Sequence, residues 1–504
     1  MISSSLKSAP ATLLPTVELL AAQAGAMIRE EFHRPGGPRG SDSKAVIDTE
    51  VETFLKGRLL ALHGCGFLGE ETAAIRTSSQ DVWVVDPQDG TTEFLAGLRG
   101  SSVSVALLRR GRPVLGVVFA PLAPDDGGDL ISWAEGAALT RNGWAIVQSA
   151  ANESIVIAMA SGAGDHAKHN HQTLPGFRIR AVPSPAYRLA LTAVGEVAAG
   201  VSMARGLDHW DVAGGHALLI GAGQLLVERS GRPVNYSHPS FDGCIGGQPD
   251  IVRRLVELRP RSGAFEARNG TRPDRRAADA TRLSRAQGCL LGQLTGDALG
   301  SAVEFQSSVE ITRRHPKGLT RLMDGGTWDL IAGQPTDDGE MALALARSIV
   351  EKRGFEREAV GSAYVRWGAS EPFDIGSTTA SGIRALSSGR QAVSESQANG
   401  ALMRVSPLGI FAAGNPELAA RLATADAKLT HPHAVCLAAS AAYCAAISAG
   451  VAGGSVEDMF TAARNLAGEG HGADIIRQTL ATARREKPLD YERQMGWVLI
   501  FTQK

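Results

Sequence analysis

Apolar positions near the amino terminus recur at spacings of three and four: Leu13, Val17, Leu20, Ala24, Ile28 and Phe32. That period predicts an amphipathic helix with Pro15 near its start, ended by Gly36, Gly37 and Pro38. Val51, Phe54 and Leu55 repeat the helical spacing after Asp48. The pattern then changes. Phe67-Leu68 is a short apolar segment that runs into Gly69-Glu70-Glu71, and Val82-Trp83-Val84-Val85 is a continuous apolar run that reads as a buried strand. Asp86 stands at its carboxyl end, and Pro87 is placed to break it. Val103, Val105 and Leu107, then Val114, Leu115, Val117 and Val118, predict two more strands turned at Gly111-Arg112-Pro113 and paired beside the Asp86 strand. Ala217, Leu218, Ile220 and Ala222 predict a helix that ends at Gly223 and begins near Asp211.

From about Gly263 to Ala280 the periodicity disappears into a polar stretch rich in Arg, Asp, Gly and Ala, which reads as an interdomain connection. Beyond it the pattern is almost wholly helical: Met341 to Val350, Ala359 to Trp367, Pro416 to Ala427 and Ala434 to Ala449. The chain therefore reads as multidomain. An α/β domain over 1–262 and a linker over 263–283 precede a mainly α domain over 284–504.

Composition changes this picture little. At 504 residues the chain is too long for one ordinary core. Hydrophobic residues at 44% and charged residues at 20% describe a globular protein, and a net charge of −1 gives no reason to expect a nucleic-acid or membrane partner. No run of some 18 apolar residues stands out as a membrane span. The five cysteines, Cys65, Cys244, Cys289, Cys436 and Cys444, have no CxxC spacing, so reduced thiols in a cytoplasm are expected.

The chemistry lies in the acids at element edges: Asp48, Glu70, Asp86, Asp89 and Asp211. Two carboxylates fixed on the turn Asp86-Pro87-Gln88-Asp89-Gly90-Thr91 repel each other unless a cation lies between them, and hard oxygen ligands suit Mg²⁺. Each acid also has a plainer reading. Asp-Pro and Asp-Gly pairs make Asx turns, and an aspartate at a helix start is a cap.

In combination, Gly69-Glu70-Glu71, Asp86-Pro87-Gln88-Asp89-Gly90-Thr91 and Trp210-Asp211-Val212-Ala213 resemble the three ordered motifs of the inositol monophosphatase-like phosphatases. The resemblance spans about residues 10 to 255. It implies an α/β sandwich of alternating layers and Mg²⁺-dependent hydrolysis of a phosphate monoester, with two or three ions and often a homodimer. Glu70, Asp86 and the carbonyl of Gln88 would hold one metal, and Asp86, Asp89 and Asp211 a second. Thr91, with Glu70 and Asp48, would orient the attacking water, while the N–H groups of Gly90 and Thr91 would bind phosphate. Thr92-Glu93-Phe94 is similar to the 3'(2'),5'-bisphosphate nucleotidase branch, although Thr92 replaces a lysine. Ala204 stands where inositol phosphatases usually carry a hydroxyl-binding acid, and Arg205 follows it. A phosphonucleotide substrate is therefore expected ahead of inositol 1-phosphate.

The second half resembles the ADP-ribosylglycohydrolases through Gly296-Asp297-Ala298-Leu299-Gly300 with Glu304, Thr336-Asp337-Asp338, Asn399-Gly400-Ala401-Leu402-Met403-Arg404 and Thr430-His431. The resemblance implies an all-α domain in which Mg²⁺ grips the ribose of ADP-ribose. Glu304, Thr336, Asp337 and Asp338 would lie at the metal site, and ADP-ribose or an ADP-ribosylated protein would be the partner. Helix capping is the plainer reading of Thr336 to Asp338. A helix-entry loop is the plainer reading of His431 and His433. The family's Asp-x-Asp-Thr segment is absent after Thr430, and the sequence stops at Gly496-Trp497-Val498-Leu499-Ile500-Phe501 and three further residues. The expectation is an incomplete second site with impaired or absent glycohydrolase activity; the alternatives are an active glycohydrolase that makes the chain bifunctional, or a domain that only binds ADP-ribose.

Overall fold

The computed structural model of the protein describes residues 9–41, 43–146, 155–238, 240–261 and 279–485. The chain divides into two compact units, residues 1–276 and 277–504.

The first unit opens with α1 (Pro10–Phe32), which has Pro10 in its first turn, where a missing N–H costs nothing. A two-residue hairpin of β1 (Gly40–Ser41) and β2 (Lys44–Ala45) leads into α2 (Val46–Leu62). Seven strands follow in the spatial order of the chain: β3 (Gly66–Gly69), β4 (Asp81–Asp89), β5 (Ser102–Arg109), β6 (Arg112–Ala120), β7 (Asp129–Ala134), β8 (Thr140–Arg141) and β9 (Trp144–Ala145). Only β3 and β4 are parallel within this sheet. The single-turn helix α3 (Thr91–Leu95) follows β4.

The second sheet has the order β11 (Phe177–Ala181), β10 (Ile155–Met159), β12 (Ala199–Leu207), β14 (Phe241–Gly247), β13 (Leu225–Glu228). Its helices are α4 (Ala167–Thr173), α5 (Pro185–Ala193), α6 (His209–Gly221) and α7 (Pro249–Leu258).

Alternation along β6 shows how the layers stack. Leu115, Val117 and Phe119 join the core beneath α1 and α2, whereas Val118 and Ala120 join the core of α5 and α6. Both faces are covered, which is why β6 reads as an unbroken apolar run. The α5–α6 layer lies between the two sheets, and Val252 and Leu255 of α7 close the outer face of the second. The unit is the expected α/β sandwich.

Two local expectations are corrected. The β5–β6 hairpin turns at Arg110-Gly111, both at positive φ, and Arg112 already pairs with Arg109. A two-residue turn of this hand matches strand twist, and Gly111 supplies the required geometry. Pro87 does not end β4 either. The strand runs on to Asp89 through a register shift against β5.

The second unit is helical: α8 (Ala280–Gly300), α9 (Ser308–Arg314), α10 (Asp337–Lys352), α11 (Arg357–Ala369), α12 (Ser377–Ser387), α13 (Ser406–Phe411), α14 (Pro416–Ala427), α15 (Ala434–Ala452), α16 (Val456–Asn465) and α17 (His471–Ala483). α8 starts at Ala280, ahead of residue 284, because Asp279 Oδ1 accepts from the N–H groups of Thr281 and Arg282 at 3.0 and 2.9 Å. Most of the linker stretch, and the carboxyl-terminal run from 486, lie outside the described residues. Met341, Leu345, Tyr364, Leu408, Ala423 and Cys444 are among the residues that build its largest apolar core.

Two helices that the periodicity predicts, α1 and α15, are long and apolar enough to cross a membrane by length and composition, which the expectation of no membrane span did not single out. Both bury much of their surface within their own units. Contacts with α13, α14, α16 and α17 account for the apolar character of α15.

Candidate active site

Asp86 and Asp89 are three residues apart on β4, a spacing that would put them on opposite faces of a regular strand. Opposite them on β5, Asp86 pairs with Ser104 and Asp89 with Ser102, so β4 carries one extra residue. This bulge, at Pro87-Gln88, turns both carboxylates to one side. Gln88 N donates to Asp86 Oδ1 at 2.9 Å, so the Asx turn is present as well. The two readings of this turn are compatible.

The parallel pairing of Gly69 with Val85 sets Glu70 beside Asp86, at the carboxyl ends of β3 and β4. The loop is held from below by Glu52, fully buried on α2, which accepts from Glu71 N at 2.8 Å and Thr72 N at 2.7 Å. Nothing in the sequence pattern singled out Glu52. Only the packing shows its role.

Asp211 arrives from the other side on the first turn of α6, where its Oδ2 accepts from Asp208 N at 2.7 Å. It is both a cap and a member of the acid cluster. α6 lies close to the sheet because Gly116 meets it without a side chain: a Cβ there would come within 2.5 Å of the Ala217 Cβ and 2.6 Å of the Gly214 carbonyl.

The result is a group of carboxylate oxygens from Asp86, Asp89 and Asp211 all within 4.8 Å of one another. Among the described residues no other such cluster occurs in either unit. Burial and the charges of Glu70, Asp89 and Asp211 push Asp86 well above the usual carboxylate range. Burial raises Asp89 to about 7, against the hydrogen bonds of Ser184 and Ala186. Asp211 reaches about 8 through burial and the charge of Asp89. Glu70, although its side chain reaches solvent, is raised to about 8 by desolvation and by Asp211, Glu71 and Asp48. Four acids that resist ionising together form a donor set suited to a hard divalent cation.

Next to them, Thr91 Oγ1 donates to the Gln88 carbonyl at 2.8 Å and lies 3.2 Å from Asp48 Oδ2. Asp48 is buried on the first turn of α2 and raised to about 7 by that burial. Gly90, at φ +94°, is the N-cap of α3 and directly follows Asp89. The side-chain amide of Gln88 is buried with neither polar atom bonded. Ala204 is exposed, and the Arg205 side chain lies outside the described residues.

The profile of the inositol monophosphatase family matches residues 10–261, half of the chain. The chain belongs to the inositol monophosphatase family. Its first unit is accordingly that of a metal-dependent phosphatase. The probable inositol 1-monophosphatase ImpA of Mycobacterium tuberculosis is 25% identical, over 44% of this chain and 83% of that protein. A solved structure of the extragenic suppressor protein suhB from Bartonella henselae is similar at 25% identity and a TM-score of 0.42, covering 48% of this chain and 96% of that one. The profile of the ADP-ribosylglycohydrolase family matches residues 278–501. There, ADP-ribosyl-[dinitrogen reductase] glycohydrolase of Rhodospirillum rubrum is 38% identical, over 30% of this chain. The chain spans about half, 52%, of that relative's length.

The glycohydrolase-like unit brings its motifs together differently from the capping expectation. Thr336, Asp337 and Asp338 are buried at the start of α10, but the cap comes from Asp297 of α8. Its Oδ2 accepts from Thr336 N and Gly339 N, both at 2.9 Å, and Oδ1 from Thr336 Oγ1 at 2.6 Å. The motif Gly296-Asp297-Ala298 already contained this residue. Glu304 accepts from Trp328 Nε1 at 3.0 Å.

Arg404 is fully buried and joins two further motifs. It donates to Asp426 Oδ2 at 3.0 Å, Thr430 Oγ1 at 2.8 Å and the Gly400 carbonyl at 3.1 Å. His433 Nδ1 accepts from Val435 N at 3.2 Å and so caps α15, as a helix-entry residue. His431 is instead buried, with Nδ1 bonded to Thr430 Oγ1 at 2.8 Å and its pKa lowered to about 3 by burial and by Arg404.

Proposed function

We propose that the inositol monophosphatase unit hydrolyses the phosphate monoester of a small metabolite, using two or three Mg²⁺ ions held by Glu70, Asp86, the Gln88 carbonyl, Asp89 and Asp211. The observation that carries this reading is the meeting of Asp86, Asp89 and Asp211 oxygens within 4.8 Å of one another, with Asp86 and Asp89 buried. Bound divalent metal lowers the pKa of a coordinated water and neutralises charge on the phosphoryl oxygens. In this reading Thr91 holds the attacking water, which its hydroxyl's contact with Asp48 Oδ2 supports. Asp48, buried beside Thr91, would help to orient that water. Glu70 orients the same water from the rim, and the backbone N–H groups of Gly90 and Thr91 hold the phosphate.

The substrate assigned first is a 3'(2')-phosphonucleotide such as 3'-phosphoadenosine 5'-phosphate. Ala204 supports it, since no carboxylate stands at that position to receive inositol hydroxyls. Inositol 1-phosphate is the second reading, supported by the name of the M. tuberculosis relative. Phosphate release from these two, fructose 1,6-bisphosphate and ADP-ribose 1''-phosphate, with Mg²⁺, separates the readings. A kcat/KM highest for 3'-phosphoadenosine 5'-phosphate is expected, and preference for inositol 1-phosphate overturns the assignment.

For the second unit we propose an ADP-ribose-containing ligand, with Mg²⁺ at Glu304, Thr336, Asp337 and Asp338. The supporting observation is the tie that Arg404 makes between the Asn399–Arg404 and Thr430–His431 segments. Binding of ADP-ribose by this unit is the expected outcome. Calorimetry with ADP-ribose on the full chain checks this, and no measurable binding overturns the proposal. Five free cysteines suit a reducing, cytoplasmic compartment. A homodimer belongs to the same proposal.

A further inference from the structure

Arg188 on α5 is only 2% exposed, yet among the described residues it forms no ion pair with a carboxylate. Its fork is spent on neutral oxygens. Nη1 donates to the carbonyls of Val182 at 2.6 Å and Pro183 at 3.0 Å, and Nη2 donates to Ser202 Oγ at 2.9 Å. Nε is buried with no partner. Burying a cation on such terms is costly, so the arrangement calls for a reason.

The reason lies in what those carbonyls precede. Ser184, the next residue, caps α5: its Oγ accepts from Tyr187 N at 2.9 Å and donates to Asp89 Oδ2 at 2.5 Å. Ala186 N donates to the same oxygen at 2.7 Å. Ser102 then donates to Ser184 Oγ at 2.8 Å, because the serine's own proton is committed to Asp89. Both residues flanking Ser184, Pro183 and Pro185, lack an N–H, so the turn cannot be anchored through its own donors there. Arg188, reaching back from one turn along the helix, supplies the anchor.

We infer that Arg188 is a positioning residue for the metal site: it pins the turn whose Ser184 and Ala186 donors occupy one oxygen of Asp89, leaving the second for the cation. The inference rests on the reading of the acid cluster as a divalent-metal site. Arginine suits the role because its planar fork fixes direction, which a lysine ammonium does not. Partners one step removed from a metal typically set its affinity by about 10- to 100-fold.

The test is calorimetric titration of Mn²⁺ into the full-length protein stripped of metal. Arg188→Met is expected to bind Mn²⁺ about 10- to 100-fold more weakly. Arg188→Lys should recover part of that loss, and Ser202→Ala should weaken binding a few-fold by removing one of three anchors. In steady state the half-saturating Mg²⁺ should rise while substrate KM at saturating Mg²⁺ stays unchanged. Should Arg188→Met not fold, Arg188→Lys and Ser202→Ala decide the matter. Wild-type Mn²⁺ affinity in both, with only a lower melting temperature, makes Arg188 a merely structural residue and overturns the inference. A wild-type protein that binds no Mn²⁺ overturns the metal-site reading itself.

Discussion

Asp86 and Asp89 share a face of β4 only because one extra residue is accommodated against β5, between the pairs Asp86–Ser104 and Asp89–Ser102. A regular strand would have sent one of the two carboxylates into the opposite layer. The metal site thus depends on a local irregularity as much as on the acids themselves.

Replacing Asp86 by Ala or Asn should abolish Mg²⁺-dependent phosphate release. It should also stabilise the metal-free protein, because one of several crowded charges is gone. A gain of about 1 kcal/mol would raise the melting temperature by about 2–4 °C for a unit of this size. Melting curves in EDTA and in Mg²⁺ check both halves: the variant should lose the metal-induced shift. Unchanged turnover would falsify the ligand assignment.

The pH dependence of metal-free stability has a definite sign. Glu70 and Asp211 at about 8, and Asp48 and Asp89 at about 7, all lie above the values of an unfolded chain. The folded state therefore holds protons that the unfolded state has released, and stability falls as pH rises through this range. His216, kept neutral by burial with a pKa of about 4, acts in the opposite direction only up to its unfolded value of 6.5. Between pH 7 and 8.5 the acids dominate. Thermal melts in EDTA should drop across that interval, whereas saturating Mg²⁺ should flatten the profile. A metal-free protein more stable at pH 8.5 than at pH 7 would contradict the clustering.

Gly116→Val tests the approach of α6 to the sheet. Its first side-chain atom would collide with Ala217 and Gly214, and α6 carries Asp211. Overpacking of this kind costs about 1–3 kcal/mol. The expected signature is weaker Mg²⁺ binding together with the stability loss, measured by calorimetry and by denaturant melts. A variant that loses stability but keeps its metal affinity would show that Asp211 tolerates a displaced helix.

In the second unit, Asp426→Asn leaves Arg404 buried beside a neutral partner. The pair is 3.0 Å apart and neither side chain is exposed, and Tyr364 Oη also donates to Asp426, at 2.7 Å. Breaking one side of a buried pair costs about 3–5 kcal/mol. Denaturant unfolding should show the loss in the second unit's transition while phosphatase activity is retained. A change below about 1 kcal/mol would mean that the network is far from its usual energetic weight.

Much of this was legible in the chain. The helix of Leu13 to Phe32, the strand of Val82 to Val85 and the helix after Asp211 follow from period and punctuation, because each buries a face whose spacing repeats. Helices such as α12 and α16 leave a fainter mark, since each is short and carries few large apolar residues. The turn at Arg110-Gly111 was displaced by the visible Pro113, although proline occupies only the second residue of β6. The acids at element edges could be named one by one. Whether each was a cap, a turn or a ligand could not be separated locally, and Asp211 proves to be a cap and a cluster member at once.

The sequence by itself determined which residue types were at hand: carboxylates at strand ends, glycines at the turns, apolar runs to bury them. Tertiary structure alone decided that Glu52 supports the Glu70 loop, that Asp297 rather than Thr336 caps α10, and that Arg188 anchors the turn gripping Asp89. The reason is physical. Periodicity records which face of an element is buried, but a hydrogen bond between residues 97 positions apart, such as Ala186 to Asp89, leaves no mark on the pattern of either segment.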